Sequence, residues 1–195
     1  MSLVAVTLST IKSVETWEQD ELDFILFSGD GNHGSILADL GRIADPNQRV
    51  GVYELIGRRV TLSLGSRHFI MEGCAETDGL GVVSAIDPQA GPMGEFGMVS
   101  FSEALQTALL TTDGAVLTVG DYSTAIIPDP EGGLRVWDSH SRGPGGMFHP
   151  DGRAVLTQVE NLLDLEELIR LQLIQRGCPA EQFEVLGFRR VLGGT

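Results

Sequence analysis

The chain has 195 residues, 42% of them hydrophobic, and carries 27 Asp and Glu against 13 Lys and Arg, a formal net charge of -14. That length is enough for one domain with a substantial core, and that charge repels a phosphate backbone, which excludes nucleic acid as an expected partner and favours a basic protein surface or peptide. No apolar run approaches the ~20 residues that span a bilayer, and the start MSLVAVTLSTIK has no basic stretch ahead of its apolar part, so no membrane contact and an intracellular setting, cytoplasm or nucleus, are expected.

Leu3, Val4, Val6, Leu8 and Ile11 have helical spacing and predict a first helix over Leu3 to Ile11. Thr16 and Gln19 stand at capping-box spacing, and Trp17, Leu22, Ile25 and Leu26 form the apolar face of a second helix that is expected to stop at Gly29. A third is expected from about Ser35 through Ile36, Leu37, Leu40 and Ile43 to the break at Asp45-Pro46. The glycines between them, Gly29, Gly31 and Gly34, match G-x-G-x-x-G literally. A dinucleotide fingerprint needs a strand ahead of its glycines, and a helix precedes these, so the segment reads as a polar connector.

From Val50 short β-like runs follow, Val52 to Ile56, Val60 to Leu64 and His68 to Met71, separated by Gly57 and Gly65. Gly73 to Gly97 reads as the least regular region. Val99 to Leu110 predicts a helix, with Ser100 and Glu103 at capping-box spacing. Ala115 to Val119 suits a buried central strand, and Tyr122 to Ile127, Leu134 to Trp137 and Ala154 to Val159 continue an antiparallel meander. A last helix is expected to start at Asp164, with Glu167 three residues on, and to end at Gly177, followed by a strand over Phe183 to Phe188. The chain thus reads as a single α+β domain over 1–195, with a helical part over about 1–48 and a sheet-bearing part over about 50–190.

Catalysis-capable chemistry concentrates between Leu134 and Leu156. Side chains two apart on a strand share a face, so Asp138 and His140 are expected as neighbours with Ser139 turned away. A carboxylate beside an imidazole fixes its tautomer and raises its basicity, as a general base requires. The glycine-rich loop Gly143 to Gly146 follows directly, and sites gather at such loops. The two cysteines, Cys74 and Cys178, have neither disulfide-scaffold nor zinc-ligand spacing, and His33, His68 and His149 fit no metal pattern. No cofactor or metal is expected. Leading helices and a trailing sheet with an acid and a histidine are also the layout of a papain-like cysteine protease, whose thiolate sits at the N-terminus of the first helix.

The block WDSHSRGPGGMFHPDGRAVL, with AVLTVGDYSTAIIPDPEGGLRV before it, resembles the D-S-H-S-R block of the herpesvirus large tegument protein N-terminal ubiquitin-specific cysteine protease family. VETWEQDELDFILFSGD is similar to that family's W-x-x-x-x-[LI]-D-x-I-L-x-x-G-D segment, and SFSEALQTAL to the helix ahead of its central strands. The resemblance implies a papain-like fold, deubiquitinase activity, ubiquitin or a ubiquitin-like protein as partner, and an infected cell or the virion tegument as setting. It assigns Asp138 and His140 to the D-x-H acid and base.

The family's nucleophile comes from a Q-C element just ahead of the segment that MSLVAVTLS resembles, so the expected cysteine falls before Met1. Two readings stand open: a chain begun inside the domain, or a pseudoprotease that binds ubiquitin or serves as a scaffold. Within the chain, Cys74 is a substitute nucleophile poorly placed for activation by a helix N-terminus. Cys178 reads as a packing thiol, and Ser2 lies near the right place with a less nucleophilic hydroxyl.

Overall fold

The computed structural model describes residues 1–42, 49–85 and 99–192. Its helices are α1 (Ser2–Ser9), α2 (Gln19–Asp39), α3 (Phe101–Leu110) and α4 (Leu162–Arg176). The strands are β1 (Arg59–Leu64), β2 (Arg67–Gly73), β3 (Gly79–Ser84), β4 (Gly114–Val119), β5 (Tyr122–Pro128), β6 (Leu134–Arg142), β7 (Arg153–Val159) and β8 (Ala180–Val191). The class is α+β, as expected.

One antiparallel sheet orders these strands β1-β2-β8-β4-β5-β6-β7, with β3 also paired to β8. The strand expected over Phe183 to Phe188 is longer than its apolar stretch suggests and lies in the middle of the sheet. Ala180–Val185 pairs with β3 and Phe188–Val191 with β2 along one edge, while β4 holds the other. Such breadth comes from long-range pairing, which a short apolar run does not announce.

Alternate side chains feed two cores. Val116, Ala125, Ile127, Trp137, Leu186 and Phe188 pack with α1 and α2, while Ala115, Leu117, Ile126, Val136, Phe183 and Val185 pack with α3 and α4. A sheet covered on both faces explains why Ala115 to Val119 reads as a nearly continuous apolar run.

The helix expected to stop at Gly29 and the one expected from Ser35 are a single helix, α2, and the supposed connector with Gly31 and Gly34 is its interior. Packing overrides the weak helix propensity of glycine here. A Cβ on Gly29 would lie 2.9 Å from Met1 Cα, so the missing side chain lets α1 approach. Buried Asn32 donates to Ser63 O at 2.9 Å and accepts from Ser63 N at 2.6 Å, and Asp39 accepts from Thr61 N at 2.6 Å. Those bonds satisfy the outer edge of β1, which would otherwise stand open. The end expected for the third helix, Ile43 to Asp45-Pro46, lies outside the described residues.

Four local expectations are corrected. The capping box of α2 is Glu18 with Glu21, three residues apart like Thr16 and Gln19 but shifted along the chain. Val52–Leu55 is a 3-10 turn, closed locally by Glu54 N–H donating to Gly51 O at 3.1 Å and by Glu54 Oε1 accepting from Gly51 N at 2.8 Å. Gly73 to Gly97, expected to be irregular, contains β3; residues 86–98 lie outside the description. Asn161, not Asp164, caps α4: its Oδ1 accepts from Leu163 N and Asp164 N at 2.8 and 3.1 Å. Gly177 ends α4 at φ 70°, as its position predicts.

Candidate active site

β6 carries Asp138, His140 and Arg142 at period-two spacing, and the chain draws all three into one network. Asp138 is 2% exposed, and its Oδ1 accepts both the backbone N–H of His140 at 2.8 Å and the ring Nδ1–H at 2.6 Å. Its Oδ2 accepts Nε–H of buried Arg142 at 2.8 Å. An ionised carboxylate only accepts, so His140 must carry its proton on Nδ1 when neutral, leaving Nε2 as the basic nitrogen. Burial pushes the Asp138 carboxyl up, but the bonds from His140 and the Arg142 charge outweigh it and hold the carboxyl below the usual aspartate range. The β6–β7 register shifts between Asp138 and Arg142, which frees this end of β6 from regular pairing.

Tyr122, at the start of β5, stacks on the imidazole with ring centroids 4.7 Å apart. Its face also meets two cations, Arg176 at 4.5 Å and Arg142 at 5.6 Å. Arg176 is the last residue of α4, so the helix end is tied through one aromatic ring to the histidine.

His140 lines a cavity of about 310 Å³. Met1, Ser2 and Leu3 at the start of α1 form another of its walls, with His33 and Ile36 of α2, Asp121 of the β4–β5 connection and Ser123 of β5. Ser2 Oγ donates to Ser123 O at 3.1 Å, which joins the N-terminal end of α1 to the strand beside His140. A groove of about 550 Å³ continues from this cavity through Val50, Val52, Asp121 and Ser123 to Glu181 and Glu184.

No family model matches the sequence, and no match to a curated protein reaches significance. The structure is similar to the ubiquitin-specific protease encoded by murine cytomegalovirus tegument protein M48, solved in complex with a ubiquitin-based suicide substrate. The two agree at a TM-score of 0.59 and 14% identity, over 98% of this chain and 77% of that one. The fold is papain-like. At such an identity the likeness is one of fold, as the sequence resemblance implied, and the side chains must be judged on their own geometry.

In this papain-like frame the N-terminal end of α1 and the Asp138–His140 pair face one cavity, and no cysteine is among the described residues that line it. Cys74 sits after β2, 2% exposed, with its thiol directed to Glu72 O at 3.7 Å and pushed up by burial. Cys178 packs half-buried against the α3/α4 core, and both thiols are free. His68 pairs with Ser63 Oγ at 2.9 Å, and His149 accepts from Asp151 N at 3.2 Å. Among the described residues, no group of three or more His, Cys, Asp and Glu is gathered for a metal. No described helix is long and apolar enough to cross a membrane.

Sequence reasoning missed three participants. His33, read as a loop residue, lines the cavity, and its buried Nε2 has no hydrogen-bond partner among the described residues. Arg142 was legible, since it continues the period-two series Asp138, His140, Arg142. Tyr122 was not, because its place opposite His140 follows from the Thr124–Asp138 register.

Proposed function

We propose that this chain is a ubiquitin-directed cysteine protease-like domain in which Asp138 and His140 are the acid and the base. The carrying observation is the Asp138 Oδ1 to His140 Nδ1 bond of 2.6 Å at a cavity whose other wall is the N-terminal end of α1. The reaction this implies needs a cysteine thiolate at that helix end, which none of these 195 residues supplies; it would attack the carbonyl of the C-terminal glycine of ubiquitin. His140 Nε2 takes the thiol proton and returns it to the leaving amine, while Asp138 holds the ring and stabilises the imidazolium. Glu181 and Glu184 in the adjoining groove suit a basic C-terminal tail.

A second reading of the same geometry is a pseudoprotease that binds ubiquitin or acts as a scaffold, since Asp138 and His140 keep their arrangement whether or not a thiol stands opposite them. Titration with ubiquitin tests what both readings share. Saturable binding with amide shifts at Ser139, His140 and Ser123 is expected, and no binding at millimolar ubiquitin would overturn every ubiquitin-directed reading and leave only the scaffold role. Ser2→Cys separates them: capture of a ubiquitin C-terminal electrophile that disappears in Ser2→Cys/His140→Ala supports a site built for catalysis, and inertness of Ser2→Cys favours the binding module.

A further inference from the structure

A second concavity lies at the opposite end of β6. Its walls are Leu109 and Leu110 at the end of α3, Gly133 and Leu134 where the chain enters β6, and Leu162 and Leu163 in the first turn of α4. They border an open hollow of about 510 Å³. Leu110 is 77% exposed and Leu163 is 72% exposed, whereas Leu105, Ala108, Leu165 and Ile169 satisfy the core on the same helices. Two largely exposed leucines flanking an apolar hollow leave an apolar face open to a partner.

Charge indicates what covers it. Every segment that walls the groove carries an exposed carboxylate within three residues of the wall: Asp113 after α3, Glu131 before β6, Glu160 before α4 and Asp164 within it. None of these four forms an ion pair among the described residues. The nearest cation along the chain, Arg135, is bound to buried Asp129 at 2.5 Å. Asp113 accepts from Arg190 N at 2.6 Å, so the acidic flank rests on Glu131, Glu160 and Asp164. An apolar floor with exposed acids beside it fits an apolar segment flanked by cations.

We propose that this groove docks an amphipathic helix of a partner protein, its apolar face seated between Leu110 and Leu163 and its Lys or Arg flanks set against Glu131, Glu160 and Asp164. Leu134 and His140 are six residues apart on one strand, roughly 20 Å at ~3.3 Å per residue, so the groove and the His140 cavity fill independently. The surface therefore stands whether or not the ubiquitin reading does.

The probe is a synthetic Leu-faced, Lys-flanked amphipathic peptide of about 15 residues, titrated into the isotope-labelled chain. Saturable amide shifts at the end of α3 and the first turn of α4 are expected, with affinity falling about tenfold or more in Leu110→Glu/Leu163→Glu and weakening as salt rises. Glu131→Lys/Glu160→Lys alters only exposed positions and is expected to turn the preference toward a Glu-flanked analogue. No binding, binding indifferent to both variants, or equal binding of the Glu-flanked analogue by the unaltered chain would overturn the proposal. So would sedimentation showing a dimer that Leu110→Glu/Leu163→Glu dissolves, since a second copy would then be the occupant.

Discussion

His140 gives two protons to one oxygen of Asp138, from its backbone N–H and from its ring Nδ1–H, while Arg142 takes the other oxygen. Each carboxylate oxygen therefore has a defined donor in the buried interior. The imidazole is held by a group that is itself held, which is the preorientation that the proposed base requires.

Removal of the carboxylate should destabilise the fold far more than removal of the imidazole. Asp138→Ala leaves the Arg142 guanidinium, 2% exposed, buried without its partner, at an expected cost of about 3–5 kcal/mol. His140→Ala leaves the Asp138–Arg142 pair intact and should cost much less. Urea unfolding of both variants measures the difference; equal losses would mean that Asp138 does not hold Arg142.

The same carboxylate sets part of the acid stability. Its folded-state pKa is depressed, by hydrogen bonds and charge acting against burial. Its contribution is therefore fully present above the unfolded value of about 3.9 and is lost as pH falls through the lower folded value. The gap in unfolding free energy between the unaltered chain and Asp138→Asn should be steady above about pH 5 and shrink below about pH 4. Asp129, held low by Arg135 against its own burial, keeps an acid limb in the variant too. A gap unchanged down to about pH 2 would contradict the assignment.

Tyr122 should report on His140 by its ring current. With centroids 4.7 Å apart and the planes tilted by 58°, Tyr122→Leu is expected to shift the imidazole carbon-bound proton resonances by several tenths of a ppm or more. Arg176→Gln removes the cation at 4.5 Å and should cost about 0.5–1 kcal/mol, with loosening confined to the end of α4. Imidazole resonances unmoved by Tyr122→Leu would dissolve the stack.

Gly152 sets the return of the loop that follows the site. A Cβ there would lie 2.5 Å from Arg142 N and 2.6 Å from Arg142 O, against backbone that cannot swing aside. Gly152→Ala should cost about 1–3 kcal/mol and push the loop off Ser141, whose Oγ donates to Gly152 O at 3.2 Å. Thermal melting and the His149 amide, which donates to Ser141 O at 3.1 Å, give the readout.

Local chemistry settled much before any tertiary contact was known. The meander β4-β5-β6-β7, the α3 cap at Ser100, the stop of α4 at Gly177 and the meeting of Asp138 with His140 depend on period-two alternation, capping and left-handed glycine. All of these act over a few residues. What acts over long separations was not legible. Gly29 to Gly34 is helical because Asn32 and Asp39 bind the edge of β1 and α1 presses on Gly29. The centrality of β8, the Tyr122 bridge from α4 to His140, and the shared cavity of His140 with the start of α1 arise the same way. Sequence chose the residues of the site through short-range geometry, and tertiary structure chose their surroundings, because burial and strand register join parts of the chain whose separation leaves no periodic trace.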